Sequence, residues 1–329
     1  MLGKYRERDR QEPDTPVVSV VTAVKNGEAT LEETVESIRR QSLTGWELLI
    51  VDDGSTDGTP DLLERLSDHE RIRLFSSPGL GPAGARNVGI AEAQGRYVAI
   101  LDADDIAMPE RLAEQVGALE SAPALVAVGS AAYHFVRRGV PAGVQPGHPT
   151  SRDELRSMLE KGMLITWSHS TMCWRKGALE ELGGFDERFS PSEDAELLNR
   201  AIYERNMTVL GLPKPLVWYR LSRNSLSSGG LRRQRMIARY LEMRNECWLH
   251  DRPVPDFEDF MARRPTTRER TRWARHDLAA ELYREAGYRV ASGRRGGVVS
   301  RVLLSAALHP RYVIRKLWRQ RFGSGLGRT

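Results

Sequence analysis

Residues 97–105 read Tyr97-Val98-Ala99-Ile100-Leu101-Asp102-Ala103-Asp104-Asp105. Five apolar residues in a row, bounded by a polar cluster, predict a strand buried on both faces, and such strands belong to parallel sheets covered by helices. The acids then fall just past a strand's carboxyl end, where ligands of open α/β sheets gather. Two carboxylates two positions apart in that place can share a hard divalent cation, Mn²⁺ or Mg²⁺, with an anionic ligand. Acidic residues after a strand also serve as turn formers and helix caps, so the triplet alone leaves both readings open.

Working outward, the same pattern repeats toward the N-terminus. Val17 to Thr22 is a β-branched run closed by Lys25-Asn26-Gly27, and Trp46 to Val51 is a second strand that leads into Asp52-Asp53-Gly54-Ser55. Ile72 to Phe75 is a short third strand. Between them, Leu31, Val35 and Ile38 recur at helical spacing within Glu28 to Gln41. A second helix runs through Leu62, Leu63 and Leu66, and a third over Ala85 to Gln94. Strands alternating with helices argue for an α/β fold with a mostly parallel, Rossmann-like sheet and helices on both faces. Lys25-Asn26, Asp52-Asp53 and Asp102 to Asp105 then converge on one edge.

Beyond Asp105 the pattern is less regular. It predicts helices over Pro109 to Leu119, Arg152 to Glu160 and Glu193 to Glu204, and strands over Leu125 to Ser130, Met207 to Leu210 and Leu216 to Leu221. The Ser/Gly-rich stretch 225–230 reads as a boundary, and the remainder as helical, through Arg232 to Leu249 and Thr267 to Ala286.

Taken together, VSVVTAVKNGEATLEETVESIRRQ, WELLIVDDGSTDGT, GARNVGIAEAQGRYVAILDADD, GGFDERFSPSEDAELLNRA and WYRLSRNSLS resemble the family 2 inverting glycosyltransferases in order and spacing, over residues 17–228. The resemblance implies a GT-A fold with a nucleotide-binding half (16–105) and an acceptor half (106–228), after a disordered tail (1–15). A C-terminal helical region (229–329) follows. It also implies a nucleotide-diphosphate sugar donor, a saccharide or lipid-linked acceptor, and direct displacement at the anomeric carbon. Asp53 and the backbone around Ala23 would contact the nucleotide. Asp104 would hold the metal, with Asp102 on ribose or metal water.

Asp194, at a helix start facing the acceptor, would be the catalytic base, although Ser192-Glu193-Asp194 is also a favourable helix N-terminus. Arg86 offers a guanidinium fork to the base or the diphosphate, or else forms an ion pair with one of the acidic loops. His169, in WSHSTMCW, either shapes the acceptor pocket or is a hydrogen-bonded buried histidine, and Trp167 and Trp174 are either a sugar platform or core. Two positions depart from the family pattern: Lys25 where an aromatic residue is common, and Leu221-Ser222 where a histidine often follows Tyr-Arg. Arg220 or Arg223 would compensate.

Other enzyme classes fit less well. A sugar-phosphate nucleotidyltransferase calls for a glycine-rich basic loop after the first strand, which is missing, and an aspartyl phosphohydrolase places its acids after the first strand rather than the fourth. A non-catalytic nucleotide-sugar-binding protein would not require all of Asp53, Asp102, Asp104 and Asp194.

Composition sets outer bounds. The chain has 329 residues and a net charge of +5. Residues 286–329 hold ten Lys or Arg and no Asp or Glu, so residues 1–285, with 39 basic against 44 acidic side chains, carry −5. The basic excess is local to the tail, and nucleic-acid binding is not expected. Between Val298 and Phe322 the tail interleaves apolar and basic residues, including Trp318, with Pro310 splitting it into two short helices. Such helices either lie on an anionic membrane or pack on the main domain. Cys173 and Cys247 form no metal or disulfide pattern, the N-terminus lacks an apolar signal core, and no run is long enough to span a bilayer. A cytosolic protein, peripheral on the inner membrane face, is the expectation.

Overall fold

The computed structural model describes residues 15–67, 69–137, 139–221, 231–291, 293, 296–310 and 312–314. Most of the expected N-terminal tail, the 225–230 boundary and Arg223, Trp318 and Phe322 lie outside the described residues.

The first half builds as anticipated. Strands β1 (Val18–Val24), β2 (Trp46–Asp52), β3 (Ile72–Ser76) and β4 (Tyr97–Ile100) lie side by side in the order β3-β2-β1-β4, all parallel. Helices α1 (Leu31–Arg39), α2 (Thr59–Leu66) and α3 (Gly81–Glu92) connect them. In α1, Leu31, Val35 and Ile38 are buried, while Glu32 and Glu33 in the first turn and Arg39 in the last match the helix dipole. In α3 the inward face is made of small residues, which brings the helix close to the sheet. A Cβ on Gly89 would stand 2.5 Å from Val21 Cγ1, so only glycine lets the backbone approach β1 there.

The second half mixes directions. Sheet order continues β4-β8-β6-β9-β5, with β7 (Val140–Gln145) on β6. Here β5 is Ile106–Ala107, β6 Leu125–Arg137, β8 Cys173–Arg175 and β9 Thr208–Arg220. β8 is antiparallel to both β4 and β6, whereas β6 and β9 are parallel. The two strands expected at 207–210 and 216–221 are one strand whose register against β6 shifts around Pro213 and Pro215, a place where a bulge tolerates residues that cannot donate. Helices α4 (Arg111–Ser121), α5 (Arg152–Leu159), α6 (Lys176–Leu182) and α7 (Glu193–Asn199) cover this half, and α7 continues into a wider π turn, Arg200–Glu204.

The direction of β8 matters most for function. Because it runs against β4, with Cys173 opposite Ala99, the residues that precede β8 fall beside those that follow β4. Arg111, fully buried, fastens that junction by donating to the carbonyls of Ile100 and Met172.

Helices α8 (Leu231–Leu249), α9 (Phe257–Ala262), α10 (Thr267–Ala291) and α11 (Val298–Leu308) form the C-terminal layer. Phe189 and Ala195 pack with Ile237, Tyr240, Leu241, Phe257 and Phe260 in a core joining α7 to α8 and α9. Beneath it, Glu196 is paired with both Arg200 and Arg244, and Asn245 donates to Asn199. α11 ends two residues before Pro310 and lies on α10, where Ser305 donates to the Ala279 carbonyl at 2.7 Å. Its other face leaves Val299, Leu303 and Leu304 between 55% and 71% exposed.

Glycine to alanine in an exposed helix stabilises by about 0.5–1 kcal/mol. At position 89 the sign reverses: Gly89→Ala is expected to lower the urea-unfolding free energy by about 1–3 kcal/mol through overpacking against Val21.

Candidate functional site

The parallel strands β1, β2 and β4 end on one edge, and their loops interlock. Asn26, at φ +57°, donates its backbone N–H to Ser55 Oγ at 2.8 Å, and its side-chain Oδ1 accepts from the Thr56 amide at 2.8 Å. Ala23, next to this loop on β1, is half-buried with Val51 opposite it. Lys25 is exposed at the rim.

Asp53 sits two strands from β4, about 10 Å away at normal strand spacing. Its carboxylate accepts from the Leu80 amide at 2.8 Å, the Gly81 amide at 2.9 Å and the Ser77 hydroxyl. Those amides are the first of α3, so Asp53 caps that helix from a neighbouring strand and is only 4% exposed. α3 therefore starts at Gly81, four residues before the expected Ala85. No sequence-local residue announces that cap, since the capping acid lies 28 positions upstream.

The acid loop follows β4. Asp102, Asp104 and Asp105 bring one carboxylate oxygen each to within 4.8 Å of one another. Asp105, 1% exposed, accepts from the Arg220 amide at 2.8 Å through Oδ1, while Oδ2 is buried with no hydrogen-bond partner. A buried carboxylate oxygen without a hydrogen bond is costly, and three carboxylates this close together suit a hard divalent cation. The charges strain one another: burial and then the neighbouring Asp102 push Asp104 up to about 6. Burial, Asp104 and Asp102 raise Asp105 well above the carboxylate range.

Asp102 is different, because cations surround it. Burial works against its ionisation, but His169 and Arg86 outweigh burial and hold its carboxyl well below the usual range. Arg86 Nη2 is 2.8 Å from Asp102 Oδ1, and His169 Nε2 is 3.0 Å from both oxygens. Burial and Arg86 lower the proton affinity of His169, yet Asp102 carries it up to about 10.

Arg86 thus forms the ion pair with an acidic loop, one of its two readings, and its second Nη reaches Glu193 Oε1 at 2.8 Å. Both side chains are about 95% buried. Arg86 therefore ties the acid loop to the first turn of α7, whose next residue is Asp194. Asp194 is partly exposed, its Oδ1 accepting the Ala195 amide at 2.7 Å and its Oδ2 standing 3.6 Å from His169 Nδ1. The pocket beside His169 and Asp194 is walled by Trp167, Met172, Trp174 and Phe185. Trp167 and Trp174 are both 2% exposed, and so belong to the core rather than to an open sugar platform.

Arg220 lies over Phe135 at 4.6 Å, pairs with Glu33 and donates to the Asp104 carbonyl at 2.7 Å. It braces the acid loop from the β9 side. β8, and with it the contact between His169 and Asp102, has almost no signal in the sequence. Its only trace is the apolar triplet Met172-Cys173-Trp174, too short to register as a strand.

Asp102 and Asp104 therefore share the acid loop, Asp194 is linked to it through His169 and through the Arg86 bridge from Asp102 to Glu193, and Asp53 and Ala23 lie at the ends of the neighbouring strands. Residues 19–183 match the description glycosyl transferase family 2. EpsE of Bacillus subtilis, a glycosyltransferase by name, is 34% identical over 195 residues, covering 57% of this chain and 68% of that protein. The Escherichia coli UDP-Glc:alpha-D-GlcNAc-diphosphoundecaprenol beta-1,3-glucosyltransferase WfaP is 36% identical over 105 residues, 32% of this chain and 42% of its own length. Among solved structures, the mannosyltransferase PcManGT of Pyrobaculum calidifontis, in complex with GDP-Man and Mn²⁺, superposes with a TM-score of 0.58 at 19% identity. That likeness covers 94% of this chain and 88% of that one, and shows a shared fold. The chain belongs to glycosyl transferase family 2, with the GT-A fold.

Arg86 is the keystone of this arrangement. Arg86→Met strands Glu193 and part of Asp102 in a buried setting and is expected to cost about 3–5 kcal/mol of stability in urea unfolding. Arg86→Lys recovers little, since one ammonium lacks the fork that spans both acids.

Proposed function

We propose that this chain is an inverting glycosyltransferase that moves a sugar from a nucleotide-diphosphate sugar to an acceptor hydroxyl in cell-envelope glycan or glycolipid synthesis, on the cytosolic side. The observation that carries the reading is the placement of Asp194 beside the acid loop, joined to it through Arg86–Glu193 and faced by His169. A lone helix-capping acid has no need of such ties.

In this reading the acceptor hydroxyl enters next to Asp194, whose Oδ2 takes its proton as the oxygen attacks the anomeric carbon. The bond from that carbon to the diphosphate oxygen breaks on the opposite face, which gives inversion. The rim between Ala23 and the Asp53-held 77–81 loop receives the nucleotide. Asp104 and Asp105, joined by Asp102, would hold Mn²⁺ or Mg²⁺, which supplies charge stabilisation for the departing diphosphate. Asp102 is largely occupied by Arg86 and His169, so Asp104 is the principal ligand in this scheme.

The relatives support the finer choices. The name of WfaP gives a uridine-diphosphate donor and a lipid-diphosphate acceptor, and PcManGT was solved with Mn²⁺. We adopt a UDP-sugar as donor and a saccharide or lipid-linked acceptor on that basis. No helix among the described residues is long and apolar enough to cross a membrane. Peripheral contact with an anionic membrane through 298–322 is supported instead by the exposed Val299, Leu303 and Leu304 and by the basic excess of the tail.

A panel of nucleotide sugars tests the reaction. With Mn²⁺ and one matching donor the protein should release the nucleoside diphosphate, and EDTA should stop it; Asp194→Asn should abolish transfer while donor binding by calorimetry stays within about threefold. Pyrophosphate release from a nucleoside triphosphate and a sugar phosphate would point to a nucleotidyltransferase instead. For the membrane contact, the protein is expected to float with anionic but not neutral liposomes, and Leu303→Glu with Leu304→Glu should reduce the floated fraction several-fold. Equal flotation of the variant would remove this face from consideration.

A further inference from the structure

His169 has two ring nitrogens and two acidic neighbours. Nε2 is held 3.0 Å from both oxygens of Asp102. Nδ1 is buried, has no hydrogen-bond partner, and stands 3.6 Å from Asp194 Oδ2. The other oxygen of Asp194 is committed to the Ala195 amide, so the oxygen facing the ring is the one left for chemistry.

The ring has little freedom to look elsewhere. His169 opens a 3₁₀ turn, His169–Thr171, whose Thr171 hydroxyl is bonded to the Ser168 carbonyl at 2.7 Å. Within the same turn, Ser170 accepts the Asp102 amide at 2.9 Å. The edge of the ring meets Phe185 at 6.3 Å between centroids. A histidine needed only for packing would be satisfied by Asp102 and would not hold a second buried nitrogen toward a partly exposed acid.

We infer that His169 is a positioning residue for transfer: it fixes the reactive oxygen of Asp194 relative to Asp102, so that base and donor side are set by one imidazole. This inference rests on the transfer reading above. An approach of about half an ångström would turn the 3.6 Å separation into a hydrogen bond of ordinary length. A small rotation of the Asp194 side chain supplies that approach without moving α7, and the carboxylate is then oriented before the hydroxyl loses its proton. Through Asp102, the same ring reports whether the donor-side loop is in place.

Two substitutions separate this role from a structural one. Glutamine reproduces a donor at the Nε2 position and leaves nothing at Nδ1, whereas asparagine reproduces Nδ1 and gives up the Asp102 contact. With the donor found active in the panel, His169→Gln should lower kcat at least tenfold, while donor KM and the calorimetric affinity for UDP with Mn²⁺ stay within twofold. His169→Asn should retain more kcat than the glutamine variant but bind UDP more weakly. Unfolding midpoints confirm that both variants are folded. Wild-type kcat in His169→Gln, or a loss confined to donor affinity, would overturn the inference. A wild-type protein that transfers no sugar from any donor would overturn the function reading, and this inference with it.

Discussion

Everything at the working edge of this protein depends on burying one guanidinium between two carboxylates that come from distant parts of the chain. Arg86 rises from α3, Asp102 from the end of β4, and Glu193 from the first turn of α7, and the three meet at 2.8 Å with almost no solvent between them. A buried charge is tolerated only when paired and hydrogen-bonded, so none of these elements can move independently without exposing the others to that penalty. The fork of Arg86 therefore converts three separately folded segments into one rigid frame. Asp194 inherits its place from that frame, being the residue next to Glu193.

The frame also accounts for the uneven electrostatics of the acid loop. Asp102 is held ionised because Arg86 and His169 lie against it; two and three residues further on, burial raises both Asp104 and Asp105, helped by the charge of Asp102 at the former and by Asp104 and Asp102 at the latter. A site with one compensated and two uncompensated carboxylates is asymmetric by construction. The compensated acid holds the protein together, and the other two are the ones that the proposed function assigns to a cation. Arg220 adds a brace without neutralising the pair, since its contacts are to the Asp104 carbonyl, the Asp105 side chain through its amide, and Glu33.

How much of this could be read from the residues follows from the range of each interaction. Strands β1 to β4 declare themselves through continuous apolar runs, and the acids at their ends follow, because both signals are local. The start of α3 does not, because its cap, Asp53, arrives from another strand. β8 escapes because three residues cannot establish a period, and its antiparallel direction is what puts His169 on Asp102. β9 looks like two strands because Pro213 and Pro215 interrupt its pattern, while the ladder with β6 simply shifts register there. The ion pair of Arg86 could not be read from spacing either, because its partners Asp102 and Glu193 lie 16 and 107 positions away in the chain.

The C-terminal layer is tied into the same frame. α7 carries Glu193 and Asp194 at its start, and one turn later Glu196, 1% exposed, is paired with Arg244 of α8 and with Arg200. Asn199 then bonds both the Ile165 carbonyl and Asn245. The helix bearing the proposed base is thus held at its first turn by the parallel half of the sheet, through Arg86 of α3, and along its body by α8. α8 in turn packs on α9 and is paired with α10 through Arg239 and Asp277. Arg244 and Asn245 are consequently part of what sets the position of Asp194.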